Sequence, residues 1–312
     1  MRNSGERAVS GERASPAMRS DLGRWSRRVT LDVRGELSHL RRELIVLGKR
    51  LPGVKDPWSW KKFHRDIRSK GCSLLAGLES YPDAVLVAGC QRSGTTILAR
   101  MISESEGMVQ YRTRDDDELD AALILSGTET HAGEGRYCFQ TTYLNECYRE
   151  YFDARYQYKL VWVLRNPYSV VCSMRFNWDR FALNELFDAC GFPLLTEEEK
   201  IRHRRYGAIA SSTIYRACLA YVGKERQAVE LVRRLPASKM MLIDYDDLVQ
   251  NRTQLLPKIY EFVGLPYKPA YAEKVHGRSL RKSDWLTERE RRTIGEICVP
   301  LYESLKALAV TA

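Results

Sequence analysis

A glycine-bounded segment from Gly89 to Gly94 carries the clearest set of anion-binding groups in the chain. An apolar run, Val85 to Val87, precedes it, and apolar residues at helical spacing follow it, which predicts a buried strand, a tight turn and a helix. In such a unit the backbone N–H groups and the positive end of the helix dipole point at whatever the turn holds. The segment therefore predicts a site for an oxyanion.

The two glycines have the spacing of a P-loop, but Thr95 stands where P-loop phosphotransferases have a lysine. That lysine is the main protein cation for the β- and γ-phosphates. The positive charge here is Arg92, and a planar guanidinium suits a phosphate or a sulfate. The pattern favours an oxyanion site that is not a standard ATP site, with a plain glycine turn as the alternative. The candidate ligands are Gln91, Arg92, Ser93, Gly94, Thr95 and Thr96.

A second candidate cation, Arg165, follows the apolar run Tyr158 to Leu164, which predicts another buried strand. Strands that alternate with helical segments predict a parallel sheet and an α/β fold. Ligands of open α/β sheets bind at the carboxyl ends of the strands. Arg165 is therefore expected on the same edge as the glycine loop, with a purely structural ion pair as the alternative.

Composition limits the function classes. The chain has 312 residues, and no apolar run approaches the length that crosses a bilayer. The N-terminus lacks the apolar centre of a secretory signal. Eight cysteines form no C-x-x-C pair, which predicts reduced core thiols in a cytoplasmic protein. Because the five histidines are also dispersed, we predict no metal site.

The net charge of +10 lies entirely in residues 1–70, which hold 18 Lys and Arg against 8 Asp and Glu. We interpret residues 1–70 as a basic extension, partly disordered and with one amphipathic helix, and residues 71–312 as the main domain. The extension could contact a membrane surface weakly, with a solvated tail as the alternative. The balanced charge of the remainder argues against nucleic acid as a partner.

Together these segments resemble the sulfotransferases that use 3′-phosphoadenosine 5′-phosphosulfate (PAPS). QRSGTT, at Gln91 to Thr96, resembles their 5′-phosphosulfate loop. LRNPYSVVCSM, at Leu164 to Met174, resembles their 3′-phosphate motif, in which an arginine and a serine eight residues later bind the phosphate. The resemblance covers about residues 84–308. It implies a P-loop-like, three-layer α/β fold with a central parallel sheet flanked by helices, PAPS as the donor and no metal.

The same resemblance implies roles for individual residues. Arg165 and Ser173 would bind the 3′-phosphate, and Arg92 would be the main cation at the leaving group. The basic loop around 278–285 is similar to the loop that closes over the nucleotide, which adds Arg278 and Arg281 as candidate ligands.

The chain departs from the cytosolic members of that family, which have a K-T-H segment before the second motif. Gln140 and Thr142 occupy the lysine and histidine positions here, so the usual base is missing. In this respect the chain looks more like carbohydrate and tyrosylprotein sulfotransferases and their bacterial relatives, which use an acidic base shortly after the first helix. We favour Asp116 as that base; the other candidates are Asp115, Asp117, Glu118 and His131.

The implied reaction is sulfuryl transfer from PAPS to a hydroxyl or an amine of a carbohydrate or small-molecule acceptor. The sequence leaves the acceptor open. One alternative is a P-loop nucleotide kinase or another phosphotransferase, against which Thr95 argues. The other is a non-catalytic nucleotide-binding protein that docks a partner through the basic N-terminus.

Overall fold

The structure is a computed structural model. It describes residues 60, 62–63, 66, 73–114, 116–145, 147–177, 194–201, 213–275 and 283–312. The predictions made for Asp115, Arg278, Arg281 and most of the 1–70 extension lie outside these residues.

Among the described residues, four parallel strands form the central sheet in the order β2-β1-β3-β4. They are β1 (Ala84–Gly89), β2 (Cys138–Gln140), β3 (Tyr158–Leu164) and β4 (Met240–Asp244). From β1 the chain first adds β2 on one side and then crosses to add β3 on the other. The carboxyl ends of β1 and β3 therefore flank the point where the strand order reverses, which is where open α/β sheets bind ligands.

Helices cover both faces of this sheet. They are α1 (Thr95–Ser103), α2 (Asp117–Leu125), α3 (Pro167–Asn177), α4 (Thr213–Arg234), α5 (Tyr245–Gln250), α6 (Arg252–Val263) and α7 (Glu288–Lys306). The prediction of a parallel sheet flanked by helices is confirmed.

Alternating residues of β1 and β3 supply the two cores, as expected for strands buried on both faces. Val87 and Val163 pack with apolar side chains of α1, α5 and α6. Leu86 and Trp162 pack on the opposite face with α2, α4 and α7. Three layers result, with the sheet in the middle and its carboxyl edge left for the loops that form the site.

Helix α4 runs unbroken through Gly223. Tertiary packing stabilises most protein helices more than intrinsic propensity does. Gly223 is buried, and its neighbours Ala220 and Val222 pack against α3 and α7. The continuous helix places Tyr221, Lys224 and Glu225 beneath the carboxyl ends of the strands.

Two segments beside the sheet have little regular structure. In the described part of 143–156, the regular element is the short 3-10 turn Tyr148–Phe152. Side chains of this segment form tertiary hydrogen bonds; for example, the Tyr143 hydroxyl donates to the Leu74 carbonyl. The segment 108–111 contributes a bridge between Met108 and Arg136.

The end of the basic extension packs on the main domain. Phe63 is fully buried, and Trp60 and Phe63 contact the ring of Tyr143. Among the described residues, no helix has the length and apolar character needed to span a membrane.

Candidate active site

The loop after β1 has a backbone that few residues other than glycine adopt. Arg92 has φ +75° and Gly94 has φ +98°, both in the left-handed region. Gly94 is the N-cap of α1, and a Cβ there would lie 2.4 Å from the ring of Tyr245. Glycine is therefore required both by the conformation and by the close approach of Tyr245. The loop turns directly into the N-terminus of α1, as the sequence predicts for an oxyanion site. We call this loop and the first turn of α1, residues 89–98, the cradle.

Three side chains predicted to bind anions meet at this loop. Arg92 Nε donates to the Ser173 hydroxyl at 3.0 Å, and Arg165 Nη1 donates to the carbonyl of Arg92 at 3.1 Å. Ser173 lies on α3, and Arg165 lies between β3 and α3. The carboxyl ends of β1 and β3 thus bring together residues that are more than 70 positions apart in sequence.

Two like charges face each other in this arrangement. Arg92 is exposed as a whole residue, yet the burial of its guanidinium and the nearby positive charge of Arg165 lower its pKa. Asp246 Oδ1 lies 3.5 Å from Arg165 Nε, and the Arg165 guanidinium stacks 4.9 Å from the ring centre of Tyr245. Two guanidinium groups and one carboxylate leave an excess of positive charge, which favours binding of an anion.

The hydroxyls of the loop add neutral donors. Ser93 is fully buried, and its Oγ has no hydrogen-bond partner among the described residues. A buried hydroxyl without a partner is costly, so this one suits an oxyanion that would accept its proton. Thr95 Oγ1 accepts from Gln140 Nε2 at 3.2 Å and keeps its own proton to donate, while Thr96 is half-buried in the first turn of α1.

Asp116, the favoured base, has a structural role in this fold. Its Oδ1 accepts from the Leu119 backbone N–H at 3.0 Å, which caps α2, and its Oδ2 accepts from Trp60 Nε1 at 2.9 Å. An N-cap carboxylate satisfies backbone donors that the helix leaves unpaired. Asp116 as the base stays a prediction, but the geometry favours another acid of the same run.

Two neighbouring acids are held by arginines. Asp117 accepts from Arg100 in bidentate fashion at 2.6 and 3.1 Å. Asp120 accepts from the backbone N–H of Thr113 at 2.7 Å and from the side chain of Arg114. Both carboxylates therefore fix the segment before α2 to its surroundings.

Glu118 differs from these acids because its carboxyl group is directed toward Thr142. Burial of that group raises the pKa of Glu118 to about 7, although a hydrogen bond with Thr142 and the charge of Lys224 act in the opposite direction. The residue as a whole keeps partial exposure. A partly exposed residue whose carboxyl group is desolvated and has a pKa near neutral pH fits a general base.

His131 lies at the other edge of the sheet. Its Nδ1 is 3.1 Å from the hydroxyl of Tyr137, and its backbone N–H donates to the hydroxyl of Tyr81 at 3.2 Å. Tyr81 precedes β1 and Tyr137 precedes β2, so these contacts lie at the amino ends of the strands. The cradle is at the carboxyl ends, and the structure does not bring His131 to it.

Thr142 contacts both the cradle and Glu118. Its hydroxyl meets Glu118, and its backbone carbonyl contacts the cradle. That carbonyl accepts from Gln91 Nε2 at 3.2 Å and from Lys224 Nζ at 2.8 Å. Lys224 comes from α4, which is distant in sequence from the glycine loop and from Arg165. A lysine in an ordinary helical segment gives no local signal of such a role, and only the packing of α4 beneath the sheet reveals it.

Tyr245 and Asp246 also belong to the site. They follow β4 directly, and a strand end followed by an aromatic residue and acids is the signal that could have found them. Among the described residues, no group of three or more His, Cys, Asp and Glu side chains could hold a metal ion.

No protein-family model matches this sequence, and no curated protein matches it. The chain is similar to several solved structures. With the sulfotransferase domain from the curacin biosynthetic pathway it shares 14% identity at a TM-score of 0.41, over 74% of this chain and 93% of that one. With mouse sulfotransferase SULT7A1 complexed with PAP it shares 16% identity at a TM-score of 0.42, over 75% of this chain and 92% of that one. With a sulfotransferase from Alicyclobacillus acidocaldarius it shares 16% identity at a TM-score of 0.42, over 74% of this chain and 97% of that one.

Proposed function

We propose that this chain is a PAPS-dependent sulfotransferase that transfers a sulfuryl group to a hydroxyl or an amine of a carbohydrate or small-molecule acceptor. One observation carries the proposal: Arg92, Arg165 and Ser173 converge at the carboxyl ends of β1 and β3. Thr95, in place of a P-loop lysine, argues against a nucleotide kinase.

The residues present suit a nucleotide with two anionic ends. Arg92, the loop N–H groups and the partnerless Ser93 hydroxyl would hold the 5′-phosphosulfate, with Thr95 and Thr96 as further donors. Arg165 and Ser173 would hold the 3′-phosphate. The excess of positive charge supports this reading, because an anion would separate the two guanidinium groups electrostatically. Arg278 and Arg281 remain predicted ligands outside the described residues.

When bound, PAPS supplies the sulfuryl group, and 3′,5′-phosphoadenosine (PAP) is the leaving group. The task of this chain is then to position the reactants and to stabilise the negative charge that develops on the leaving group. Arg92 is the cation placed to do so, since it lies in the loop that would hold the phosphosulfate.

Glu118 would remove the proton of the acceptor. Its pKa near 7 keeps a useful fraction ionised at neutral pH while leaving it basic enough to accept a proton. It takes the place of the earlier candidate Asp116, whose oxygens bond to the Leu119 N–H and to Trp60. The 1–70 extension remains an accessory segment in this proposal, with weak membrane-surface contact as its proposed role and the cytoplasm as the proposed location.

Isothermal calorimetry with PAP, AMP and ATP tests the donor site. We expect PAP to bind tightest, because AMP lacks the phosphate that Arg165 would contact. The loss of one charge-assisted hydrogen bond to phosphate costs about 1.5–3 kcal/mol, or roughly ten- to 150-fold in affinity. Equal affinities for PAP and AMP, or a preference for ATP, would contradict the proposal. Radiolabelled PAPS offered with glycans, phenols, alcohols and amines would then identify the acceptor.

A further inference from the structure

Lys224 is a charged residue in an unusual place. It is only 1% exposed and lies on the face of α4 that packs beneath the sheet. Its ammonium group donates to the carbonyls of Thr142 at 2.8 Å and Leu144 at 3.3 Å, and to Asn145 Oδ1 at 2.9 Å. A buried ammonium is costly unless its donors are satisfied, and these three acceptors satisfy all three N–H groups.

The use of all three donors decides how Lys224 can act. An ammonium group whose N–H groups all point at protein oxygens has no donor left for a sulfate or a phosphate. Lys224 can therefore act on the site through the segment it holds, residues 142–145, and through its charge. The central member of that segment is Thr142, whose carbonyl also accepts from Gln91 and whose hydroxyl hydrogen bonds with Glu118.

We propose that Lys224 is a positioning residue for the base, because it fixes Thr142 so that the Thr142 hydroxyl meets Glu118 while the Thr142 carbonyl meets Gln91 of the cradle. This inference rests on the proposed function, in which Glu118 is the base. It adds a link from α4 to both halves of the site, and the link depends on one buried charge.

The groups that face Glu118 set the expected direction of the effect. Asp116, on the same segment, raises its pKa, whereas the Thr142 hydroxyl and the charge of Lys224 lower it. The hydroxyls of Tyr143 and Tyr151 are also near enough to interact with its charge. Beside Lys224 lies Glu225, which accepts from Trp162 Nε1 at 3.0 Å and whose own pKa burial raises to about 8. Removal of Lys224 takes away positive charge and releases Thr142, and both changes raise the pKa of Glu118.

The test that does not depend on activity follows the side-chain carboxyl carbon of Glu118 by NMR in protein labelled at glutamate, with Glu118→Gln to assign the signal. In the wild type we expect a titration near pH 7. In Lys224→Met, which keeps the length of the side chain without its charge, the midpoint should move upward by one unit or more. An unchanged midpoint in a folded Lys224→Met protein overturns the proposal.

Gln227→Met is the matched control. Gln227 lies one turn further along α4 and donates to the carbonyl of Asn145 at 3.0 Å, so this variant also loses a buried bond to the same segment. It removes no charge and no contact with Thr142. We expect it to lower stability without moving the Glu118 titration, and an equal shift in both variants would mean that general loosening, not Lys224, is responsible.

Kinetics separate this inference from the proposed function. With PAPS and an accepted substrate, Lys224→Met should shift the acid limb of kcat upward by the same amount as the NMR midpoint. If the NMR midpoint shifts but the wild type transfers no sulfuryl group, the proposed function fails and the electrostatic link stands. If transfer occurs and the acid limb does not move, the positioning role fails and the proposed function stands.

Thr142→Val keeps the test decisive if Lys224→Met does not fold. This near-isosteric change removes the hydroxyl that meets Glu118 and leaves the carbonyl and Lys224 in place. We expect the Glu118 midpoint to rise and kcat at pH 7 to fall at least fivefold. If neither changes, Lys224 cannot act through Thr142 and the proposal is wrong.

Discussion

The cradle and the Glu118 side of the site differ in how their residues are brought together. The cradle takes its loop and helix from one continuous segment, and its partner cations follow β1 and β3, two strands that pair along their length. The Glu118 side combines the start of α2, the turn after β2 and the middle of α4. One half follows local sequence rules, whereas the other depends on how distant elements pack.

The largest expected effect comes from Glu118→Gln. The amide keeps the shape of the side chain but cannot accept the proton of the acceptor, so kcat should fall by about 10²–10⁴-fold. PAP affinity should stay within about twofold of wild type, because Glu118 lies outside the cradle. Steady-state kinetics and calorimetry measure the two quantities separately. A Glu118→Gln enzyme with wild-type kcat would exclude Glu118 as the base.

Arg165→Met perturbs the other half of the site and should have the opposite signature. The side chain keeps much of its length but loses the guanidinium, so PAP affinity should fall by roughly ten- to 150-fold, the equivalent of about 1.5–3 kcal/mol. Binding of AMP, which has no 3′-phosphate, should change far less. The exposed ion-pair residue Arg155 supplies the control, since Arg155→Met should leave PAP affinity unchanged. An equal loss for AMP and PAP would show that Arg165 acts only through the fold.

The sequence could predict the cradle because its determinants are local. Gly94 is needed where the backbone is left-handed, Arg92 lies inside the loop, and an apolar run marks the strand before it. Arg165 follows the next long apolar run, and parallel strands end at a common edge. No contact between distant side chains was required to predict this half of the site.

Gly94→Ala tests that local determinant directly. A methyl group at φ +98° is strained, and it would also overlap the ring of Tyr245, so we expect a loss of stability of at least about 2 kcal/mol. Gly127→Ala is the matched control, because Gly127 has φ +70° with no atom within 4 Å of the added carbon. It should cost about 1–2 kcal/mol from the backbone alone. Chemical denaturation measures the free energy of unfolding of both variants. Equal losses would mean that the Tyr245 ring moves aside without a loss of stability.

The pH dependence of stability offers a milder test of the Glu118 side. Its pKa is about 7 in the folded protein and about 4.3 in an unfolded chain, so the folded state binds more protons between these values. The free energy of unfolding should therefore decrease through this group as the pH rises from about 4.3 to 7, and level off above that. Glu118→Gln should remove this decrease, so its stability relative to wild type should be greater at pH 8 than at pH 4.5. Denaturation at the two pH values checks the sign, and a constant difference would contradict a raised pKa.

The base could not be chosen from the sequence for a physical reason. The run from Asp116 to Asp120 places several acids within one turn and a half of helix, and their spacing alone gives each a plausible orientation. The structure separates them by their partners: Asp116 caps the helix, Asp117 meets Arg100, and Asp120 meets Arg114. Glu118 is directed toward Thr142, a contact that spans more than 20 residues, and the Thr142 carbonyl accepts from Lys224.

The smallest expected effect belongs to Asp116→Asn, and it separates the two candidate bases. Asparagine caps helices about as well as aspartate, so the free energy of unfolding should change by only a few tenths of a kcal/mol. If Asp116 serves only as the N-cap and the acceptor of Trp60, kcat should stay within about threefold of wild type. Asp116→Ala should cost about 1 kcal/mol in stability, because alanine cannot accept from the Leu119 N–H. A loss of 100-fold or more in kcat for Asp116→Asn, with stability intact, would return the base to Asp116. Asp116, and not the Glu118 carboxyl group that contacts Thr142, would then accept the proton of the acceptor.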